Sequence, residues 1–458
     1  MSAPENKMGV MPVKKLIINM SLPMMISMLV QAMYNIVDSV FVSMLSEEAL
    51  TAVTLAFPIQ NLMIAVGSGT GVGINALLSR SLGEKNFDRA DDAANNGIAL
   101  AIVSYAIFIV IGLLVVSPFI SSQTADPLIR EYGITYTSIV CFLSIGVFFQ
   151  ITFERLLQAT GRTLFSMVSQ ITGAVINVIM DPILIFGLAG FPKLGIAGAA
   201  AATIFGQIVA SCIGLFLNRK YNSDIHISIK KVLHPKLPVI KQIYFVGIPS
   251  ILMVSIGSVM TYMMNRILED FSSTAIAVFG VYFKLQSFVF MPIFGLNNGL
   301  VPVMAYNLGA AKEKRIREAL SFSLIVAVCI MVGGAVLFEL IPARLLSIFN
   351  ASETMTAIGV PALREIALCF PIAAVAIVLS SVFQAFSCSI YSLIVSVCRQ
   401  LVVLIPAAWL LSKTGNVANV WWSYLIAEAV SLTLTIIFFR LVWKRMITEG
   451  LQNRDAAN

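Results

Sequence analysis

The sequence predicts an all-α integral membrane protein with twelve transmembrane helices in two pseudo-symmetric six-helix bundles, and three observations predict it. Of its 458 residues 58% are hydrophobic and only 12% charged, a balance outside the range of soluble domains. The apolar residues gather into twelve stretches, at 16–43, 50–79, 96–120, 130–153, 164–189, 195–217, 243–266, 274–305, 319–341, 358–384, 389–412 and 418–440, each long enough for a helix to cross the hydrocarbon core. The chain also repeats itself. At an offset of 226 residues Pro23 meets Pro249, Ala49 meets Ala275, Gln60 meets Gln286, Gly69 and Gly73 meet Gly295 and Gly299, Leu82-Gly83 meets Leu308-Gly309, Arg89 meets Arg315, and Gln158-Ala159 meets Gln384-Ala385.

A constant offset over that distance marks a duplication of six spans. The expected organisation is an N-terminal lobe (1–217), a polar linker (218–241), a C-terminal lobe (242–445) and a tail (446–458). Six is an even number, so both copies insert the same way up and the repeat axis runs along the membrane normal, with solute expected to pass between the halves. Basic residues cluster on one side: Lys7, Lys14 and Lys15, then Arg80, Lys85 and Arg89, Arg155 and Arg162, the linker, Lys312 to Arg317, and Arg440 to Arg454. That bias makes this side cytoplasmic, puts both termini there, and accounts for the net charge of +7 without a nucleic acid partner. Met1 to Lys15 is polar and basic with no short apolar core before a cleavage site, so the first span is expected to be retained.

Taken in order, the first span carries a polar stripe. At 100° per residue Ser27, Gln31, Tyr34, Asn35 and Asp38 share one side of a helix, and a carboxylate there costs roughly 2.5 to 3.5 kcal/mol on insertion scales, so it calls for a partner or a job. Pro23 precedes the stripe as a bend point. The second span holds GSGTGVGINA (67–76); with no strand before it and no Lys-Ser/Thr after it, this is no phosphate loop, and its glycines read as close helix packing. The fifth span ends in QITGAVINVIMDP, with Gln170, Gly173, Asn177 and Asp181 on one face and Pro182 freeing the carbonyl of Val178. The sixth brings Thr203 and Gln207, again four residues apart. Asp38, Asp181 and Thr203 fall at similar depths, so they can meet, and two carboxylates in a low dielectric share a proton or bind a small cation.

The second copy lacks these groups: Thr261 stands opposite Asn35, Met264 opposite Asp38, Val403 opposite Asn177 and Ala407 opposite Asp181. Ion coupling is therefore expected in the N-terminal half alone. Lys284, Arg399, Gln400 and Glu428 remain in the C-terminal spans, either pairing with one another or lining a cavity. Both histidines, His226 and His234, lie in the linker, which excludes a His-based metal site in the membrane, and the six cysteines form no CxxC pair and read as packing residues. No ATPase motif and no nucleophile constellation is present, so an enzyme is not expected and the energy comes from an ion gradient or a partner chain.

The proline and aspartate of the first span, LSRSLGEKN after the second, LLQATGR after the fourth and the asparagine, aspartate and proline of the fifth together resemble the multidrug and toxic compound extrusion (MATE) transporters, and most closely their bacterial MepA-like branch. The resemblance implies a V-shaped pair of bundles that opens alternately to either side and exports lipophilic, often cationic, small molecules by antiport with protons or sodium ions. It also implies that Asp38, Asn177, Asp181 and Thr203 form the cation-coupling site, with Gln31, Tyr34 and Asn35 as a supporting polar stripe and Pro23 as hinge. No cofactor beyond H+ or Na+ is called for, and the expected state is a monomer in the cell inner (cytoplasmic) membrane. The rival reading is a flippase for a lipid-linked precursor, which would favour a basic cavity and extra spans.

Overall fold

The computed structural model describes residues 6–349 and 351–449; residues 450–458 of the expected tail lie outside the described residues. Every regular element is helical. In chain order these are α1 (Lys7–Val10), α2 (Val13–Ser43), α3 (Glu47–Gly83), α4 (Phe87–Leu114), α5 (Val116–Gln123), α6 (Pro127–Phe142), α7 (Ile145–Ala159), α8 (Thr163–Phe186), α9 (Ile196–Tyr221), α10 (Ile229–Leu233), α11 (Leu237–Glu269), α12 (Ser273–Gly309), α13 (Glu313–Leu340), α14 (Pro342–Ser347), α15 (Glu353–Ala367), α16 (Phe370–Ala385), α17 (Ser389–Val397), α18 (Ile405–Ser412) and α19 (Val417–Trp443). A π-helical segment, Cys398–Leu404, joins α17 to α18.

Ten continuous helical runs are long and apolar enough to cross a membrane, and α6 with α7 and α15 with α16 make two more if each bent pair is one span. The pairs bend by 47° and 48°. Each bend has a local cause: Ser144 and Gly146 stand at the first, and Pro371, which cannot continue the preceding hydrogen-bond ladder, opens α16 at the second.

The duplication is visible in the backbone. At the same offset α3 and α12 start and end together (Glu47 with Ser273, Gly83 with Gly309), as do α4 and α13 (Phe87 with Glu313, Leu114 with Leu340). Ser46 and Ser272 cap α3 and α12 alike, each side-chain oxygen accepting a backbone N–H at 3.1 Å. Even the left-handed positions correspond: Lys85 (φ 57°) with Ala311 (φ 55°), and Gly161 (φ 86°) with Ser387 (φ 59°).

The chain forms two compact units. Unit 1 contains Ile26–Ile251, and unit 2 contains Met8–Met25 and the chain from Leu252 onward. These differ from lobes cut at 217 and 242, because the first part of α2 packs within unit 2 and the first part of α11 within unit 1. The crossings, Met25/Ile26 and Ile251/Leu252, are again related by the 226-residue offset, and each falls two residues beyond a proline, Pro23 or Pro249. Both prolines sit inside unbroken helices.

Glycines make the seats for these exchanged segments. In unit 1 a Cβ on Gly73 would lie 2.1 Å from the Ile243 carbonyl oxygen, and one on Gly69 would lie 2.7 Å from the Ile251 backbone nitrogen. In unit 2 a Cβ on Gly295 would lie 2.5 Å from Met25 Cα, and one on Gly299 would lie 2.7 Å from Ser21 Cα. Ser21 Oγ also donates to the Leu296 carbonyl at 3.1 Å. The glycine-rich stretch is thus a close-packing surface.

Several sequence boundaries shift, three of them around the linker. The third span was expected to begin at residue 96, after a polar run, yet α4 begins at Phe87 because the linker satisfies that run. Asp91 accepts the His226 N–H at 2.7 Å, Asn95 donates to the His226 carbonyl and accepts the Ser228 N–H, Asn96 accepts the Lys236 N–H, and Lys236 Nζ reaches Asp92 at 2.6 Å. α9 runs past residue 217 to Tyr221 and α11 starts at Leu237, shortening the linker at both ends. Arg155, counted among the basic loop residues, is buried in α7 against Gly71 and hydrogen-bonds Gln158 and Ser68.

Candidate functional site

The polar groups of the first, fifth and sixth spans converge within unit 1. α8 and α9 can approach closely because their facing positions are small: a Cβ on Gly206 would lie 2.6 Å from the Gly173 carbonyl, and one on Gly198 would lie 2.4 Å from the Leu184 carbonyl. That approach brings Asn177 to Thr203, whose hydroxyl accepts from Asn177 Nδ2 at 3.4 Å while donating to the Ala199 carbonyl at 3.1 Å. One turn beyond Asn177 on the same face, Asp181 is fully buried. Asp38 of α2 lies close enough to Asp181 for the two charges to interact directly.

The rest of the stripe divides. Gln31 accepts from Gln170 Nε2 at 3.2 Å and hydrogen-bonds Tyr34, so this pair ties α2 to α8 one to two turns before Asp38. Tyr34 lies within reach of the charges of both aspartates. Asn35 is exposed, about 60° round the helix from the face that carries Asp38, and stands apart from the cluster. Two residues that the sequence did not single out join it from neighbouring helices. Tyr136 of α6, fully buried in the core of unit 1, feels both aspartates, and its hydroxyl accepts from Gln60 Nε2 of α3 at 3.1 Å. An amide within an apolar run was the available signal for Gln60; nothing in the spacing pointed to Tyr136.

The hydrogen-bond balance says what this arrangement does chemically. Among the described residues Asp38 Oδ1, both oxygens of Asp181, Asn177 Oδ1 and Gln207 Oε1 are buried without a hydrogen-bond donor. All are acceptors. Buried acceptors left unpaired cost about 1–3 kcal/mol each, more when charged, and a proton or a small cation relieves them. A carboxylate pair with an amide and a hydroxyl is a donor set of oxygens suited to either. Among the described residues no three or more His, Cys, Asp or Glu side chains are grouped to hold a metal ion.

Lys284, Arg399 and Glu428 also find their places. Lys284 is exposed with its ammonium 5.9 Å from the centre of the Phe349 ring, whereas Arg399 Nη1 donates to Glu428 Oε1 in an ion pair inside unit 2.

Known proteins resemble the chain over nearly its whole length. A family model described as MatE matches residues 23–183 and 248–410. The multidrug export protein MepA of Staphylococcus haemolyticus (strain JCSC1435) is 28% identical over 448 residues, covering 95% of either chain. An FAD transporter of Shewanella oneidensis is 27% identical over 422 residues, covering 89% of this chain and 90% of its own. In fold, the chain superposes on the outward-facing structure of a multidrug resistance MATE family transporter of the MOP superfamily with a TM-score of 0.91 at 24% identity, over 99% of this chain and all of the other.

Proposed function

Because this chain belongs to the MATE family of transporters, we propose that it is a secondary active multidrug exporter that moves lipophilic, often cationic, compounds by antiport with protons or sodium ions bound at Asp38, Asn177, Asp181 and Thr203. It is a multi-pass membrane transporter and not an enzyme. The observation that carries the antiport reading is the set of buried acceptors, two neighbouring aspartates among them, that have no donor among the described residues. The export of multiple drugs is supported by the similarity to the MepA proteins. The bias of basic residues supports an inner-membrane orientation with both termini in the cytoplasm.

In this mechanism the ion and the drug prefer different states of unit 1. With a proton or cation on the aspartate pair, the acceptors are satisfied and α2 and α8 hold together; without it, the two carboxylates repel and a cationic compound gains an electrostatic partner. Ion entry from outside then drives the drug off, which is the differential affinity that coupling requires. Pro23, whose ring cannot complete the helical ladder, gives α2 its bending point between the segment seated in unit 2 and the segment carrying Asp38.

Efflux of a fluorescent organic cation from proteoliposomes, with proton and sodium gradients imposed separately, tests this reading. One or both gradients are expected to drive efflux in the native protein, and Asp181→Asn and Asp38→Asn are expected to reduce it to the rate of protein-free vesicles. Undiminished gradient-driven efflux by both variants would overturn it.

A further inference from the structure

Unit 2 contains a second buried polar cluster, with chemistry opposite to the first. Arg399 lies in the π-helical segment Cys398–Leu404, a distortion that often marks a functional position. Its partner Glu428, on α19, has a side chain only 7% exposed, while that of Arg399 is 33% exposed. Among the described residues Glu428 is the only hydrogen-bond partner of this guanidinium, which leaves most of its five N–H groups free. Two further donors stand on the same face of α19, one and two turns before Glu428: Tyr424, 9% exposed, and Trp421, fully buried, and among the described residues neither the hydroxyl nor Nε1 has a partner. Tyr282 of α12 and Cys369, between α15 and α16, complete the surroundings and feel the charges of the pair. Phe279 stacks on Trp421 at 6.3 Å and on Tyr282 at 6.4 Å, forming an aromatic wall.

The contrast with unit 1 is one of hydrogen-bonding sense. The unpaired groups around Asp181 are acceptors and call for a cation. Those around Arg399 are a phenol O–H and guanidinium N–H groups, and call for oxygen acceptors. At the 226-residue offset, which holds through α8 and α17–α18, Arg399 corresponds to Gly173, one of the glycines that let α8 and α9 close up, so its guanidinium has no counterpart in the first copy.

We propose that Arg399 and Tyr424 form an anion-binding site for the carboxylate or phosphate group of an organic molecule, with Trp421 in the aromatic wall and Glu428 as the proton-accepting partner. The inference rests on the transporter reading, to which it adds a class of cargo or effector. The charge balance fixes how the site works. Arg399 and Glu428 are neutral together, so an entering anion leaves one uncompensated negative charge in a low dielectric unless Glu428 takes up one proton from solvent. Arg399 then turns its planar fork from Glu428 to the anion, which accepts two parallel N–H bonds. The groups facing Glu428 are Arg399, Tyr282 and Cys369, with Tyr424 beside Arg399; of these only Arg399 is a cation.

Purified protein titrated with benzoate, phenyl phosphate and benzyltrimethylammonium, followed by calorimetry in buffers of different ionisation enthalpy, tests the site. Saturable binding of benzoate or phenyl phosphate is expected, tighter at pH 6 than at pH 8 and with uptake of about one proton per anion. A preference between the two anions identifies the source as carboxylate or phosphate. Arg399→Gln is expected to weaken binding at least tenfold, and Arg399→Lys, which keeps the charge without the fork, to weaken it less. Glu428→Gln is expected to retain anion binding and lose its pH dependence. Asp181→Asn leaves this site intact, so loss of cation efflux in that variant with anion binding unchanged separates the two readings. Equal anion binding by Arg399→Gln and the native protein, or binding of benzyltrimethylammonium alone, would overturn the proposal.

Discussion

Asp181 and Thr203 define what single side chains contribute. Thr203 both accepts from Asn177 and donates to its own helix, so it orients the amide that stands one turn before Asp181. Removing one hydroxyl of this kind costs about 0.5–1.5 kcal/mol. Thr203→Ala is therefore expected to raise the ion concentration for half-maximal efflux roughly twofold to tenfold while leaving the maximal rate near native; an initial-rate titration of the driving ion checks it, and an unchanged half-maximal concentration would show that the hydroxyl contributes nothing to the site. Asp38, Asn177, Asp181 and Thr203 were legible in the sequence because helical periodicity puts them on apolar helices at compatible depth. Tyr136 was not, since its helix α6 is one arm of a bent span, and the rotation of that arm about its axis is set by packing at the bend. The pairing of Arg399 with Glu428 stayed open for a similar reason: the π-helical turn shifts the face that α17 would otherwise present.

At the scale of helices and turns, the duplicated backbone supplies its own controls. Gly161 and Ser387 occupy corresponding left-handed positions, where a side chain costs about 1–2 kcal/mol. Gly161→Ala is expected to lower the unfolding midpoint in detergent, and Ser387→Gly to raise it; opposite signs at two equivalent sites identify backbone strain as the cause. The glycine seats behave differently. A Cβ on Gly73 meets the backbone carbonyl of Ile243, which cannot swing aside as a side chain would. Gly73→Ala is expected to cost about 1–3 kcal/mol and to loosen the first part of α11, seen as faster hydrogen exchange over residues 243–251; exchange unchanged there would refute the seat. The starts of α3 and α12, at Glu47 and Ser273, follow the caps Ser46 and Ser272, whereas the apolar stretches put them at 50 and 274. The start of α4 was missed because its polar first turns, Asp91 to Asn96, look like a loop until the linker supplies their partners.

For the molecule as a whole, the linker carries less of the connection than its length suggests. Its hydrogen bonds to Asp91, Asn95 and Asn96 bind it to unit 1, and the first part of α11 remains in unit 1 after the linker ends. Protease cleavage at a site inserted between Ser228 and Ile229 is accordingly expected to leave the two fragments associated through gel filtration and active in efflux; separation of the fragments would show that the covalent link, and not the seated helix, holds them. Unit 2 treats the first part of α2 in the same manner, with Ser21 bonded to Leu296 and Gly295 against Met25.

This reciprocity bears on how such a chain arose. Each repeat provides a glycine seat that is filled by the opening helix of the other repeat, never by its own. A polypeptide of one repeat would leave its seat empty and its opening helix unhoused. Two copies could satisfy both needs at once by trading those helices, which is a domain-swapped homodimer.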